Sequence, residues 1–355
     1  MPRDSVFPAG IEGFLSQFDG FQVRPGIVDL HGDGFERHLA PRRGALKDLR
    51  QGFYALDAEL AASGVTTAYL AQFWSWEGGM RGPDFAKRMI ATLADIRDEL
   101  RTDMRIQLRV EISLIDQFDD ILNLVESAGI GYVVLNDHLP HNALAKGKRP
   151  PRLTGQALKS GRSPEAHLAL LQDLHARQAS VPDAVKQFVS DLRARRVRVG
   201  SHDDASATAR AWYADAGADI AEFPVTSEAV DAARDGNAPV ILGAPNIVRG
   251  GSHGGGLVAR DHVIRGACDV LVSDYHYPAL ANAALALDAD MPSGRAWDLI
   301  SAKPAAVMGL ADRGVIAPGY RADIVVMTPD NRIVGTMVAG RWSFIAGELA
   351  DHLGV

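Results

Sequence analysis

Short apolar runs rich in Val, Ile and Leu recur along the chain, and stretches of helical spacing separate most of them. The runs lie at 26–30, 65–71, 105–113, 132–136, 197–201, 219–223, 239–243 and 269–273; residues 84–101 and 183–195 show the 3.6-residue period. Strands that alternate with helices predict a parallel sheet, because each helix carries the chain back to the same end. Eight such units in 355 residues predict an α/β fold of the TIM-like (β/α)8 barrel type. An open doubly wound sheet is the rival architecture, but no strand is followed by a GxGxxG turn opening a helix.

The pattern changes near the end. After a helix-like stretch at 296–309, short strands are predicted at 324–327, 332–338 and 341–345, separated by Pro329-Asp330-Asn331 and Gly340. This divides the chain into a barrel over 24–310 and a small β-domain over 311–355. The segment 1–23 contributes to the small domain. Its weak patterning suggests an N-terminally reduced version of it.

Composition narrows the function. A net charge of −7 argues against a nucleic-acid partner. No apolar run approaches the roughly 18 residues of a membrane span, and the first 20 residues lack a secretory pattern, so a cytoplasmic protein is expected. The single cysteine, Cys268, sits in an apolar stretch and reads as a core residue. A small molecule is the expected partner. A homodimer is compatible with the sequence, although nothing in it marks an interface.

In such barrels the chemistry sits at the C-terminal strand ends. Strand one ends in His31-Gly32-Asp33, whose period of two puts His31 and Asp33 on one side. Strand three carries Glu111, strand four ends in Asp137-His138, strand five in Ser201-His202-Asp203-Asp204, and strand eight in Ser273-Asp274. A lone histidine at a strand end is more often structural; repetition at matching ends is what points to metal. His31, Asp33, Glu111, His138, His202 and Asp274 form a set suited to one or two divalent ions, zinc first, manganese or iron next. Carboxylates clustered out of water need such a cation. Two ions about 3.5–4 Å apart can share a water and lower its pKa. Asp274 is the candidate general base as well as a ligand, and Glu111 the candidate bridging carboxylate.

Two segments suggest an anionic substrate. Residues 139–164 read as a loop and hold Lys146, Lys148, Arg149, Arg152, Lys159 and Arg162 without one acidic residue. Lys148 and Arg149 are the candidate contacts there. After strand seven the run 243–256 is glycine-rich; Gly250 and Gly251 can turn N–H groups toward a phosphate, with Arg249 and His253 adding charge and hydrogen bonds. Asp203 is a further substrate contact. Arg37, Arg42, Arg43, Tyr275 and Tyr277 could line the rim or be solvated.

These residues carry a resemblance. Pro25-Gly26-Ile27-Val28-Asp29-Leu30-His31, Gly64-Val65-Thr66-Thr67 and Gly319-Tyr320-Arg321-Ala322-Asp323-Ile324-Val325 resemble the amidohydrolase superfamily. Its phosphonate-utilisation branch is similar through Leu30-His31-Gly32-Asp33, Ser201-His202-Asp203-Asp204-Ala205, Ala221-Glu222-Phe223-Pro224, the run 243–253 and Ser273-Asp274-Tyr275. The similarity covers residues 24–345. It implies hydrolysis of α-D-ribose 1-methylphosphonate 5-triphosphate to the 5-phosphate and pyrophosphate. The alternative, from the same metal site, is an amidohydrolase or deaminase acting on a C–N bond. The sequence departs from the commonest superfamily pattern in having His-x-Asp on strand one and Glu111 where a bridging lysine is usual, as in the membrane dipeptidase branch. It also places the two later histidines on strands four and five rather than five and six.

Overall fold

The structure is a computed structural model and describes residues 6–41, 48–251, 256–292 and 294–354. Eight parallel strands form one sheet in chain order: β2 (Ile27–Gly32), β3 (Val65–Trp74), β4 (Asp103–Glu111), β5 (Tyr132–Asn136), β6 (Arg198–His202), β7 (Ile220–Glu222), β8 (Val240–Gly243) and β9 (Val270–Val272). Gly32 at the end of β2 bridges Asp274 beyond β9 in parallel, so the first and last strands meet and the sheet closes as a barrel. Every residue of β2, β3 and β5 is buried. Strands covered on both faces must be apolar nearly throughout, which is why they stand out as runs rather than as alternations. All eight expected strands are present, and no further one separates those that carry His138 and His202.

The chain divides into two compact units, one of Met1–Leu70, Asp95–Arg105 and Pro239–Val355, the other of Ala71–Ala94 and Ile106–Ala238. The first unit carries a four-stranded antiparallel sheet in the order β1 (Gln22–Pro25), β10 (Ile324–Met327), β11 (Ile333–Val338), β12 (Arg341–Ile345). The three strands expected from the tail are there. The N-terminal segment does more than its weak pattern suggested: β1 pairs with β10, and Phe7, Phe14 and Phe18 enter the small-domain core beside Ile324, Val326 and Met337. Phe14 packs edge-to-face on both Phe7 and Phe18. A four-residue strand and a five-residue helix are too short to show a period.

Two stretches expected as loops contain helices. Residues 139–164 hold His141–Leu144 and Leu153–Ser160, the latter ended by left-handed Gly161. Ser163 then caps Pro164–Ala176, its hydroxyl accepting from the Ala166 N–H at 3.1 Å. The Gly, Pro and Ser residues punctuate helix ends instead of marking one long loop. Likewise Ala244–Arg249 is a helix with Pro245 in its first turn and left-handed Gly250 (φ 77°) at its end. His253, Arg42 and Arg43 lie outside the described residues. Cys268 is buried, as expected. Among the described residues no helix is long and apolar enough to cross a membrane.

One ion network in the first unit bears on stability. Asp103, at the start of β4, accepts from Arg105 at 2.9 Å, Arg313 at 2.6 Å and Arg321 at 3.2 Å. Burial pushes the Asp103 carboxyl up, but the hydrogen bonds and charges of Arg105 and Arg313 outweigh it and hold it at about 2. A folded-state pKa below the unfolded value near 3.8 stabilises the native chain above pH 4, and that gain disappears as pH falls toward 2. Asp103→Asn should therefore cost about 2 kcal/mol at pH 7, since it also removes one of the two carboxylates paired with the buried Arg313 and leaves it Asp312. Denaturant melts at several pH values check this: the gap between native and variant chain should narrow below pH 4, and a constant gap would remove the electrostatic explanation.

Candidate metal centre

In the first unit the residues past β2 and β9 converge. Asp29 is fully buried on β2 and binds three groups: the Ser273 N–H at 3.0 Å, the Ser273 hydroxyl at 2.5 Å and the His31 N–H at 3.3 Å. Backbone bonds extend the seam, with Asp274 N–H to His31 O at 2.9 Å and Asp33 N–H to Asp274 O at 2.8 Å. Gly32 lies in this seam without room for a side chain; a Cβ there would stand 2.6 Å from the Tyr277 ring and 2.9 Å from an Asp29 oxygen. The result is a group of His31, Asp33 and Asp274 whose ligand-type atoms lie within 4.8 Å of one another. His31 is buried and both carboxylates are half-buried. Asp274 holds a left-handed backbone (φ 56°), a conformation Asp tolerates better than most residues and one that turns the chain sharply after β9.

Arg37 and Arg249 flank this group. Arg37 donates to the Tyr275 carbonyl at 2.9 Å, and Arg249 donates to the Tyr275 hydroxyl at 3.0 Å. Arg37 also pairs with Glu59. Arg249 is exposed and has no carboxylate partner among the described residues. Gly250 and Gly251 follow it at the helix end.

In the second unit His138, His202 and Asp203 form a similar group within 4.8 Å. Asp203, expected as a substrate contact, stands among the ligand-type residues at the cavity wall, 3.3 Å from His202 Nδ1, and is left-handed like Asp274 (φ 59°). Glu111 is tied to His138 twice: its Oε1 lies 2.5 Å from Nδ1, and its Oε2 accepts the His138 N–H at 3.1 Å. The Trp76 indole donates to the same Oε2 at 3.2 Å. With both oxygens engaged, Glu111 fixes the His138 backbone and the orientation of its ring.

Burial sets the charges. It pulls the His202 imidazole down to about 4, and the nearby Arg109 adds to the effect. Burial would raise Asp203, but His202, Arg109 and His138 together bring it to about 2. For His138 burial acts downward and the Glu111 hydrogen bond and charge win, so its pKa rises. Behind the group, Arg210 clamps the turn after β6 through Ser201 Oγ at 2.5 Å and Asp204 at 3.3 Å.

A cavity of about 420 Å³ opens beside His138, His202 and Asp203, with Leu174, Trp212 and Tyr213 among its lining. Its charged walls are Asp137, Asp203 and Asp204; no Lys or Arg lines it among the described residues. Lys148 and Arg149 are exposed and stay out of it, Arg149 standing 3.6 Å from Glu165. Arg162 turns inward and donates to the Trp76 carbonyl at 2.7 Å. Asp29 and Glu222 stand in stretches that carry the family resemblance but were given no site role there, and Arg109 was not singled out. Asp29 shares the parity of His31, and Glu222 stands at a strand end as His202 does; Arg109 carried no such signal.

The donor set of the first unit fits a divalent cation: it joins an imidazole to two carboxylates, and His31 and Asp29 are buried where uncompensated charge is costly. Comparison with known proteins agrees. The Amidohydrolase family model matches residues 257–343. The alpha-D-ribose 1-methylphosphonate 5-triphosphate diphosphatase of Escherichia coli (strain K12) is 33% identical over 345 residues, which is 93% of this chain and 88% of the relative. Among solved structures, an N-acetylglucosamine-6-phosphate deacetylase from Pasteurella multocida superposes with a TM-score of 0.57 at 11% identity, over 92% of this chain and 87% of that one. Atrazine chlorohydrolase from Arthrobacter aurescens TC1, complexed with zinc, gives 0.56 at 13% identity, over 93% and 84%. These two share the fold. The chain belongs to the amidohydrolase family and is a hydrolase.

Proposed function

We propose that this hydrolase cleaves α-D-ribose 1-methylphosphonate 5-triphosphate to the 5-phosphate and pyrophosphate, with a divalent ion, zinc by its ligand chemistry, on His31, Asp33 and Asp274. The observation that carries the reading is that group of three at the meeting ends of β2 and β9, together with the 33% identical diphosphatase. A divalent cation supplies Lewis acidity toward a phosphoryl oxygen and acidifies water. Asp274 accepts the proton of the attacking water. Asp29 fixes the His31 and Ser273 backbone and so aims the ligands. Arg249, exposed and without a carboxylate partner among the described residues, offsets charge on the pyrophosphate leaving group. Arg37 shares its charge with Glu59 and contributes through Tyr275.

One observation favours a second reading, hydrolysis of a C–N bond in a small neutral substrate. The cavity beside His138 has acidic and apolar walls and no Lys or Arg among the described residues, which suits a small neutral ligand better than a triphosphate.

Pyrophosphate release from the ribose triphosphate by zinc- or manganese-loaded enzyme, with ATP and a hydantoin alongside, tests both. Release from the ribose triphosphate alone is expected; turnover of the hydantoin alone would move the enzyme to the second reading. Arg249→Ala should lower kcat/KM for the triphosphate about 10- to 100-fold with the fold intact. Unchanged kinetics would remove the phosphate role. Asp274→Asn should abolish turnover to within about 10³-fold of background while the circular dichroism spectrum stays native. Substantial residual activity would exclude Asp274 as base. Asp29→Asn should weaken zinc binding about 10- to 100-fold, read by chelator competition.

A further inference from the structure

Arg109 is a buried cation that neither the sequence pattern nor the proposed reaction uses. It lies on β4 with only 4% of its surface exposed. Its guanidinium rests 3.9 Å from the Phe73 ring centroid and donates to Asn136 Oδ1 at 3.1 and 3.3 Å. Asn136 is itself buried, and its amide NH₂ donates to the Val134 carbonyl at 3.1 Å, so its oxygen is fixed toward Arg109. The third contact is with His202: Arg109 Nη2 stands 2.9 Å from His202 Nε2.

A guanidinium has donors only, so His202 must present the Nε2 lone pair to it. That lone pair is then not available to a metal. The other nitrogen is not available either, because a neutral imidazole whose Nε2 accepts carries its proton on Nδ1, and Nδ1 faces Asp203 at 3.3 Å. His202 can enter a coordination sphere only after Arg109 leaves. Leaving is costly: the guanidinium is stacked, doubly bonded to Asn136 and out of water. Its charge is also needed where it is. Glu111 and Glu222 are fully buried carboxylates; Glu222 accepts from Gln107 at 2.6 Å and Tyr132 at 3.1 Å on its Oε2, and His202 lies 3.8 Å from its Oε1.

We propose that the Arg109 guanidinium takes the place of a second metal ion in the second unit, so that the chain binds one divalent cation, on His31, Asp33 and Asp274, while His138, His202 and Asp203 stay metal-free. The proposal rests on the metal-dependent reading above and narrows it. It makes His202 and Asp203 a preset close pair rather than ligands.

The test is metal content of the purified full chain after equilibration with zinc and removal of free ion, measured by plasma mass spectrometry and repeated with Co²⁺ by visible absorption. The native chain should hold one ion, and Arg109→Met should hold two. Two ions in the native chain, or one in a folded Arg109→Met, would overturn the proposal and leave the hydrolase reading standing. No ion in the native chain, with hydrolysis unaffected by chelator, would overturn that reading and this one together. Should Arg109→Met fail to fold, His138→Gln in the native background decides the matter: the count should stay at one, and any fall shows that His138 is a ligand.

Discussion

A buried carboxylate holds the first and last barrel strands together. Asp29 gains no stability from being charged out of water; burial raises its pKa, and the Ser273 and His31 hydrogen bonds draw it back. The two from Ser273 bind β2 to the turn after β9, through one backbone N–H and one hydroxyl, while the His31 N–H holds the carboxylate in place on β2 itself. Closure and ligand geometry are thus one arrangement. The contacts that bring Gly32 against Asp274 also set His31, Asp33 and Asp274 within 4.8 Å of one another. The left-handed Asp274 completes the turn at a conformational cost of about 1 kcal/mol or more, which the surrounding backbone hydrogen bonds sustain.

The second unit meets the same problem, charge out of water, by a different device. Three carboxylates and two imidazoles stand on neighbouring strand ends, and the positive charge among them is a guanidinium built into β4. Neutral donors take up what the guanidinium does not reach: Trp76 on Glu111, Gln107 and Tyr132 on Glu222. The cavity that opens there has acidic and apolar walls, and Arg162 of the basic stretch after β5 is spent on the Trp76 carbonyl.

Much of the fold is legible in the sequence because its strands are buried on both faces. β2, β3 and β5 appear as unbroken apolar runs, and the polar residues that end them are conspicuous by contrast. The ligand-type residues at His31, Asp33, His138, His202 and Asp274 could be picked out for that reason. What escaped has equally physical causes. The aromatic N-terminal segment shows no period over its five-residue helix and four-residue strand. Glycines at 161 and 250 look like loop signals, yet they terminate helices. Arg109 is hidden because an interior arginine reads as an exposed one until Phe73 and Asn136 are seen around it. The role of Glu111 depends on which atoms its two oxygens meet, and spacing along a strand carries no such information.

The most direct measurement of the central claim, that the ends of β2 and β9 hold the working cation, is anomalous diffraction at the zinc edge from crystals of the zinc-loaded protein. The account predicts a peak about 2.0–2.2 Å from a His31 ring nitrogen and from carboxylate oxygens of Asp33 and Asp274. A zinc peak elsewhere, with these three side chains left uncoordinated, would contradict it.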